Sequence, residues 1–352
     1  MCEHGVSGKP ETASDHEVSD MTTDVTYEQH LATLSQGSVD LHFDPFVDID
    51  WDSYDVSPEN PEWILPPEHE MGAHPWYQAL SPERQREIGR AYMAQVAKVG
   101  LEFENLLIRG LMQYVYDLPN GSPEFRYVTH EATEETHHTQ MFQEFVNRCE
   151  ADAPGMPAWT KTFIMQTFIP GFARLFPEFF FILVLGGEEP IDHMQKVYLR
   201  AGEGKIHPLM RRIMQIHVAE EARHISFAHA KLTEDAPGMG KVRRGLLSVL
   251  TPLAFRIMAD MILIPPGRMC RELEIPREVI KDIYWGAPER RVVLSEIFGD
   301  VRMLSTKVGL VDNRIARHLW KRLNIGGAPS RFRGEIHDRS IHDRESAHHH
   351  AA

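Results

Sequence analysis

The chain has 352 residues and a mass of 40.4 kDa, with 42% hydrophobic and 25% charged residues; this mix excludes collagen-like, wholly disordered and disulfide-scaffold classes and allows a large core. Fourteen acids and a single lysine fall within the first 60 residues, so that segment carries nearly all of the net charge of -14. No Lys/Arg cluster dominates the remainder, which argues against a nucleic-acid partner, and Cys2, Cys149 and Cys270 lie far apart without a CxxC pair, which argues against a disulfide framework or thiolate zinc site.

The chain opens without a basic stretch leading into an apolar run, so no signal peptide is indicated and a reducing cytoplasm is the expected compartment. Residues 1–45 are acidic, Ser/Thr-rich and poor in large apolar groups, the composition of a disordered arm. The following stretch, to about residue 77, is rich in Pro and aromatics without a sustained period and reads as an extended segment wrapping a core. Ser81 and Pro82 then supply a cap and a first helical residue for a long helix reaching about Asp117.

The turn at 118–123 separates it from a second long helix over 124–150, which Ala-Pro-Gly-Met-Pro closes at 153–157. A third helical region covers 160–200, with breaks expected at Pro170 and Pro177, and a fourth covers 207–233. Further helices are expected at 240–264, 276–284 and 288–307, and residues 311–352 read as a polar tail. No alternating strand series occurs, so the expectation is all-α. The apolar runs 176–187 and 245–267 contain Glu178 in the first and Arg256 and Asp260 in the second, and are expected to be buried bundle helices rather than membrane spans.

Two helical segments place a Glu and a His three residues apart, where both side chains leave the same face: EATEETHHTQMFQEF at 131–145 and QIHVAEEARHISFAH at 215–229. In the first, the row Val128, Glu131, Glu135, His138, Phe142, Phe145 is an apolar face with acids embedded in it. The competing row through Glu134 and His137 ends in Glu144 and Arg148 and is expected to face water. Glu135 and His138 are therefore preferred.

In the second, Met210, Met214, His217, Glu221, His224 and Ala228 share a face that is apolar at both ends, whereas Glu220 and Arg223 fall off it, solvated or behind the site. The first long helix offers Glu104, between Gly100, Leu101, Leu107 and Ile108, in preference to Glu102. The third offers Glu188 beside Val184, Leu185 and Ile191, with Glu189 kept open because Pro190 can shift the register.

A carboxylate on an apolar face needs a cation, because an unpaired buried charge costs several kcal/mol or more. Two Glu-x-x-His pairs on separate helices, plus a Glu from each of two others, are the arrangement of di-iron and di-manganese carboxylate bundles. Four carboxylates and three imidazoles without thiolate suit iron or manganese better than zinc or copper(I).

The motifs Glu104-Asn-Leu-Leu, Glu135-Thr-His-His138, Glu188 with Ile191-Asp192 following, and His217-Val-Ala-Glu-Glu221-Ala-Arg-His224 resemble the arylamine N-oxygenase family of non-haem di-iron enzymes, over roughly residues 45–310. The third histidine, His217, is the most telling element. The resemblance implies a ferritin-like four-helix di-iron bundle with additional helices, one iron on Glu104, Glu135 and His138, the other on Glu188, Glu221, His224 and His217, and Glu135 and Glu221 as bridges. It also implies reductive activation of O2 and oxidation of an amine through hydroxylamine towards nitroso and nitro. An outside reductant, a ferredoxin or flavin reductase, is needed, because no GxGxxG fingerprint occurs here. A homodimer is expected by the same resemblance, with the Pro-rich arm at 45–75 as a segment able to cross its interface.

Two other functions fit parts of the pattern. Glu220-Glu221-Ala-Arg223-His224 also resembles the signature of acyl-carrier-protein desaturases, although His217 and the absence of a basic patch for an acidic carrier speak against it. A ferritin-like iron-binding protein without organic substrate is disfavoured by the chain length and the large apolar helices around the site. The aromatic and Met residues Met165, Phe168, Phe176, Phe179, Phe180, Met258 and Met261 are expected in the core, and no Arg or Lys stands out as a substrate anchor.

Overall fold

The computed structural model describes residues 25–151, 153–158, 169–284 and 286–327. Four long helices make the body. Helix α4 (Pro82–Val115) starts at Ser81, whose side chain accepts from the Arg84 amide, and α5 (Pro123–Cys149) starts at Ser122, which caps the Phe125 amide. The short turn between them folds them into a hairpin. Helices α7 (Pro177–Arg200) and α8 (Pro208–Asp235) form a second hairpin, and contacts of α4 with α7 and of α5 with α8 close the bundle. One long crossover joins the hairpins, as in ferritin-like folds. Among the described residues there is no strand.

The expected third region divides at Phe176 into α6 (Ile169–Leu175) and α7; its first part, including Met165 and Phe168, lies outside the described residues. Pro190 leaves α7 unbroken. Pro190 has no N–H to give the Gly186 carbonyl, so one ladder bond is missing just after the bend-tolerant pair Gly186-Gly187. The two glycines have a packing role: a Cβ on Gly187 would lie 1.9 Å from the Phe103 ring and one on Gly186 2.6 Å from the Phe255 ring. They let α4 and α9 (Lys241–Leu263) approach α7 closely beside Glu188.

The apolar residues form two main clusters at opposite ends of the bundle. Leu106 to Val115, Tyr127 to Ala132, Phe179 to Leu185 and Ile225 to Leu232 belong to one; Ile88 to Ala97 with Leu101, Met141 to Cys149 and Leu209 to Ile216 belong to the other. On α4, α5 and α8 the acids and histidines singled out above fall between the two stretches. The site is a polar layer between two dry cores.

Within the described residues, helices occur on both flanks of the bundle where the sequence suggested none. The disordered arm expected at 1–45 is corrected from residue 25 onward: Thr26 and Gln29 make a capping box for α1 (Tyr27–Asp40), which buries Leu31 and Leu34 and packs against α5 and α8. Residues 1–24 lie outside the described residues. The wrapping segment behaves as expected, with short turns at α2 (Glu70–Ala73) and α3 (Pro75–Gln78) and with Trp51, Trp63, Leu65, Met71 and Tyr77 buried. It lies on its own bundle: Trp63 stacks on His207 at 3.9 Å between centroids, and its carbonyl sits where a Gly89 Cβ would be.

Beyond α9 follow α10 (Gly267–Glu272), which the sequence reading missed, α11 (Arg277–Ile283), α12 (Pro288–Glu296) and α13 (Gly299–Lys307). The expected helix 288–307 is divided at Ile297-Phe298. The polar tail expected from 311 is likewise corrected: α14 (Arg314–Arg322) buries Ala316 and Trp320, and Trp320 meets Phe255 edge-on at 5.9 Å. Residues 328–352 lie outside the described residues.

Lys241–Glu272 is the one stretch among the described residues long and apolar enough by composition to cross a membrane, and it is 39% buried in its most apolar window. Its inner face, through Leu247, Phe255 and Ala259, is part of the core.

If α14 is part of the body, Trp320→Ala removes a fully buried indole from against Phe255. The expected loss is about 3–5 kcal/mol in denaturant unfolding; an unchanged midpoint would show that the helix is not docked.

Candidate metal centre

All seven residues expected as ligands converge. Glu104 comes from α4, Glu135 and His138 from α5, Glu188 from α7, and His217, Glu221 and His224 from α8, each exposed by 2% or less. Their ligating atoms form two adjoining sets, Glu104/His138/His217/Glu221 and Glu135/Glu188/Glu221/His224, with all atoms of a set within 4.8 Å of one another. Glu221 belongs to both. Its Oε1 lies 3.4 Å from His138 Nδ1 and 3.5 Å from His217 Nε2, while Oε2 lies 3.5 Å from His224 Nδ1. Glu135 also spans the sets, with Oε1 2.8 Å from His224 Nδ1 and Oε2 3.2 Å from His138 Nδ1.

The grouping differs from the expected one at His217. Its Nε2 lies 3.3 Å from Glu104 Oε1, so it sits with Glu104 and His138 and not with Glu188 and His224. One turn of α8 separates His217 from Glu221 and Glu221 in turn lies between the sets, which puts His217 on the α4 side.

The alternatives left open in the sequence resolve. Glu102 turns out to the loop after α5 and accepts from the Met156 amide at 2.7 Å. Glu189 accepts from the Val301 amide at 2.9 Å and pairs with His229, leaving Glu188 to face the cluster. Glu134, expected in water, is buried: it takes His224 Nε2 at 2.7 Å and Arg223 at 2.8 Å.

Glu220 does the matching job across the site, lying 2.9 Å from His138 Nε2 and accepting from the Phe43 amide at 3.1 Å. Each Glu-Glu-x-x-His motif therefore holds the histidine of the other. The sequence signal that would have found this pair is the repetition itself, Glu134-Glu135-x-x-His138 and Glu220-Glu221-x-x-His224.

Do these residues fit metal ions? Glu104 Oε2, Glu135 Oε1, both oxygens of Glu188 and of Glu221, and His224 Nδ1 are buried without a hydrogen-bond partner. Native interiors rarely leave such groups unpaired, because each forfeits its hydration. The short approaches among them lack hydrogen-bond alignment, as expected when lone pairs from several donors aim at a shared point. With Nε2 of His138 and His224 engaged by Glu220 and Glu134, Nδ1 is the nitrogen each presents inward. Carboxylates and imidazoles without thiolate are the donor set of iron or manganese.

Protonation tells the same story. Burial, reinforced by the neighbouring carboxylates, pushes Glu104 and Glu188 well above the ordinary 4.5, and does the same to Glu131, which sits one turn before Glu135 with both oxygens unpartnered. Burial works against charge at His138 and His224, yet the surrounding carboxylates, Glu135 foremost, lift both well above the ordinary 6.5. Burial and Glu135 push Glu221 up, but the imidazoles of His224 and His217 bring it down to about 2. His217 itself is pulled by burial to about 4 and is neutral.

A family model described as p-aminobenzoate N-oxygenase AurF matches residues 24–309. The chain belongs to that family. Its AurF-family match begins near α1 and ends beyond α13, so it includes the segment over Glu134 and Glu220 as well as the four long helices. An uncharacterized protein of Mycobacterium bovis and its counterparts in two strains of Mycobacterium tuberculosis are each 50% identical over 318 residues, covering 90% of this chain and 92% of theirs. No solved structure is a significant match.

The raised groups set a pH dependence. Glu104, Glu188, His138 and His224 hold protons in the metal-free fold that the unfolded chain releases, the carboxyls from 4.5 and the imidazoles from 6.5 upward. Their contribution is complete at low pH and is lost as pH rises through the folded values. Depressed His217 acts in the opposite sense only below its unfolded value of 6.5. The urea midpoint of metal-free protein is therefore expected to fall from neutral to alkaline pH, and added Fe(II), which takes the deprotonated donors, to remove that fall. Parallel profiles with and without metal would count against the site.

Proposed function

We propose that the chain is a di-iron N-oxygenase that oxidises an amine, in particular an arylamine, through the hydroxylamine towards nitroso and nitro. The observation that carries this reading is one apolar cavity that reaches Glu104 and His217, two of the seven donors. A buried di-metal donor set with an organic-sized approach favours an oxidase of small molecules over an iron store. His217 within the donor set favours it over a carrier-protein desaturase.

Glu104, Glu135, His138, Glu188, His217, Glu221 and His224 would hold two iron ions, which when bound supply the reduction of O2 and the transfer of one oxygen atom to nitrogen. The protein's own part is positional. Glu134 and Glu220 accept the Nε2 protons of His224 and His138 and keep Nδ1 turned inward. Phe142, 5.3 Å from the His217 ring, and Met214 give the cavity an apolar wall beside the donors. An amine in the cavity would meet the Glu104 and His217 end first.

Placing one oxygen atom on nitrogen and reducing the other to water consumes two electrons and two protons. A ferredoxin or flavin reductase is the external donor in this reading, and the cytoplasm is where such donors keep iron reduced.

About two irons per chain are expected in the purified protein, falling in both His217→Ala and Glu135→Ala, together with reductant- and O2-dependent oxidation of an arylamine. Near-zero iron, or zinc indifferent to either substitution, would sink the reading. A homodimer is proposed alongside it; sedimentation at the mass of a single chain at micromolar concentration would overturn that part.

A further inference from the structure

The cavity runs away from the metal centre along three helices. On α7, Gln195 lies seven residues beyond Glu188, about 10 Å along the axis, and Met210 stands equally far before His217 on α8. That span holds one benzene ring with a substituent at each end. Val96, Gly100, Phe142 and Met214 make the sides apolar.

The far end is lined by His69, Tyr92, Tyr198 and Gln195. The tyrosine hydroxyls are engaged elsewhere, Tyr92 with Tyr284 at 3.4 Å and Tyr198 with Glu70 at 2.9 Å. His69 and Gln195 differ. His69 Nδ1 accepts the Met71 amide at 3.0 Å, so the ring proton is on Nε2, and that nitrogen has no partner although the residue is only 5% exposed.

Gln195, 6% exposed, leaves Oε1 unpaired. Both line the cavity beside Tyr198, which stacks on His69 at 5.5 Å between centroids and follows Gln195 by one turn of α7. An unpaired donor and an unpaired acceptor at the end of an apolar cavity each cost free energy that a ligand with the complementary pair would recover.

No free cation stands there among the described residues. Lys205, the one Lys or Arg lining the cavity, is paired with Glu68 at 2.7 Å, and Arg290 is 3.6 Å from Glu70. Burial holds His69 near 4, hence neutral. A carboxylate there would meet no cation that is not already paired with an acid, and its desolvation would go largely uncompensated.

We propose that the cavity selects an uncharged arylamine whose end remote from the amine carries a carboxamide-like donor–acceptor pair, its carbonyl accepting from His69 Nε2 and its N–H donating to Gln195 Oε1. This rests on the N-oxygenase reading for the orientation of the amine. It separates this chain from a p-aminobenzoate enzyme by the charge of the substrate's far end.

The isosteric probes are 4-aminobenzamide and 4-aminobenzoate, titrated calorimetrically into the full chain loaded with iron and kept anaerobic. The amide is expected to bind at least tenfold more tightly than the acid. His69→Asn keeps a capping acceptor for the Met71 amide but stops short of the cavity, and Gln195→Leu removes the second group. Each is expected to weaken amide binding roughly three- to tenfold, the scale of one hydrogen bond.

Equal affinity for amide and acid, no binding of the amide, or amide affinity unmoved in both variants would overturn the inference. The amide-to-acid comparison on the unaltered chain stands even if a variant fails to fold. Binding that depends on both residues without any oxidation of the bound amine would retire the N-oxygenase reading and leave this one. Oxidation with binding indifferent to both residues would do the reverse.

Discussion

The cost of burying charge governs this molecule. Four carboxylates and three imidazoles occupy a layer between two dry cores, where an unpaired ion costs several kcal/mol even after relaxation. Cations, or protons in their place, offset that cost, and the unpartnered atoms mark where they are needed. The same constraint explains the second acid in each Glu-Glu-x-x-His motif. A histidine that presents Nδ1 to a cation leaves its Nε2 proton buried, and Glu134 and Glu220 are the acceptors that remove that penalty from the opposite helix.

Those two acids must be buried in turn, which gives the N-terminal segment its place in the fold. Arg223 binds Glu134 at 2.8 Å and donates to the Leu41 carbonyl at 3.0 Å, while the Phe43 amide donates to Glu220. Helix α1 and the residues after it therefore close the flank of the bundle on which both acids lie. Without this cover Glu134 and Glu220 would be hydrated, and a hydrated carboxylate holds an imidazole less firmly.

The four long helices and the convergence of the seven acids and histidines could be read from the sequence because each signal is local: Ser-Pro caps, Pro-Gly turns, and rows of acids and histidines bracketed by apolar residues. What escaped depends on other elements. Glu134 was assigned to water because its own helix row ends in Glu144 and Arg148, but α1 and Arg223 cover it from outside that helix. Helix α1 escaped because only Leu31 and Leu34 anchor it among Ser, Thr and Gly. Helix α14 was likewise hidden, since four of its nine residues are Arg or Lys and only Ala316 and Trp320 are buried. His217 was found but given to the wrong set, because spacing along α8 fixes its face and says nothing about which neighbouring helix it meets.

That placement of His217 makes the centre asymmetric. Glu104 and His217, both of one donor set, line the apolar cavity, whereas Glu135, Glu188 and His224 lie on the side of Tyr127, Phe181 and Phe227. A molecule entering the cavity meets only the first set. The additional imidazole thus stands where donors and cavity join, and because burial keeps it neutral it brings a nitrogen lone pair there without adding charge. A fifth carboxylate in its place would have enlarged the charge to be neutralised and made the end of the cavity more polar. A neutral imidazole keeps the wall compatible with an apolar ligand while adding a nitrogen to the donor set behind it.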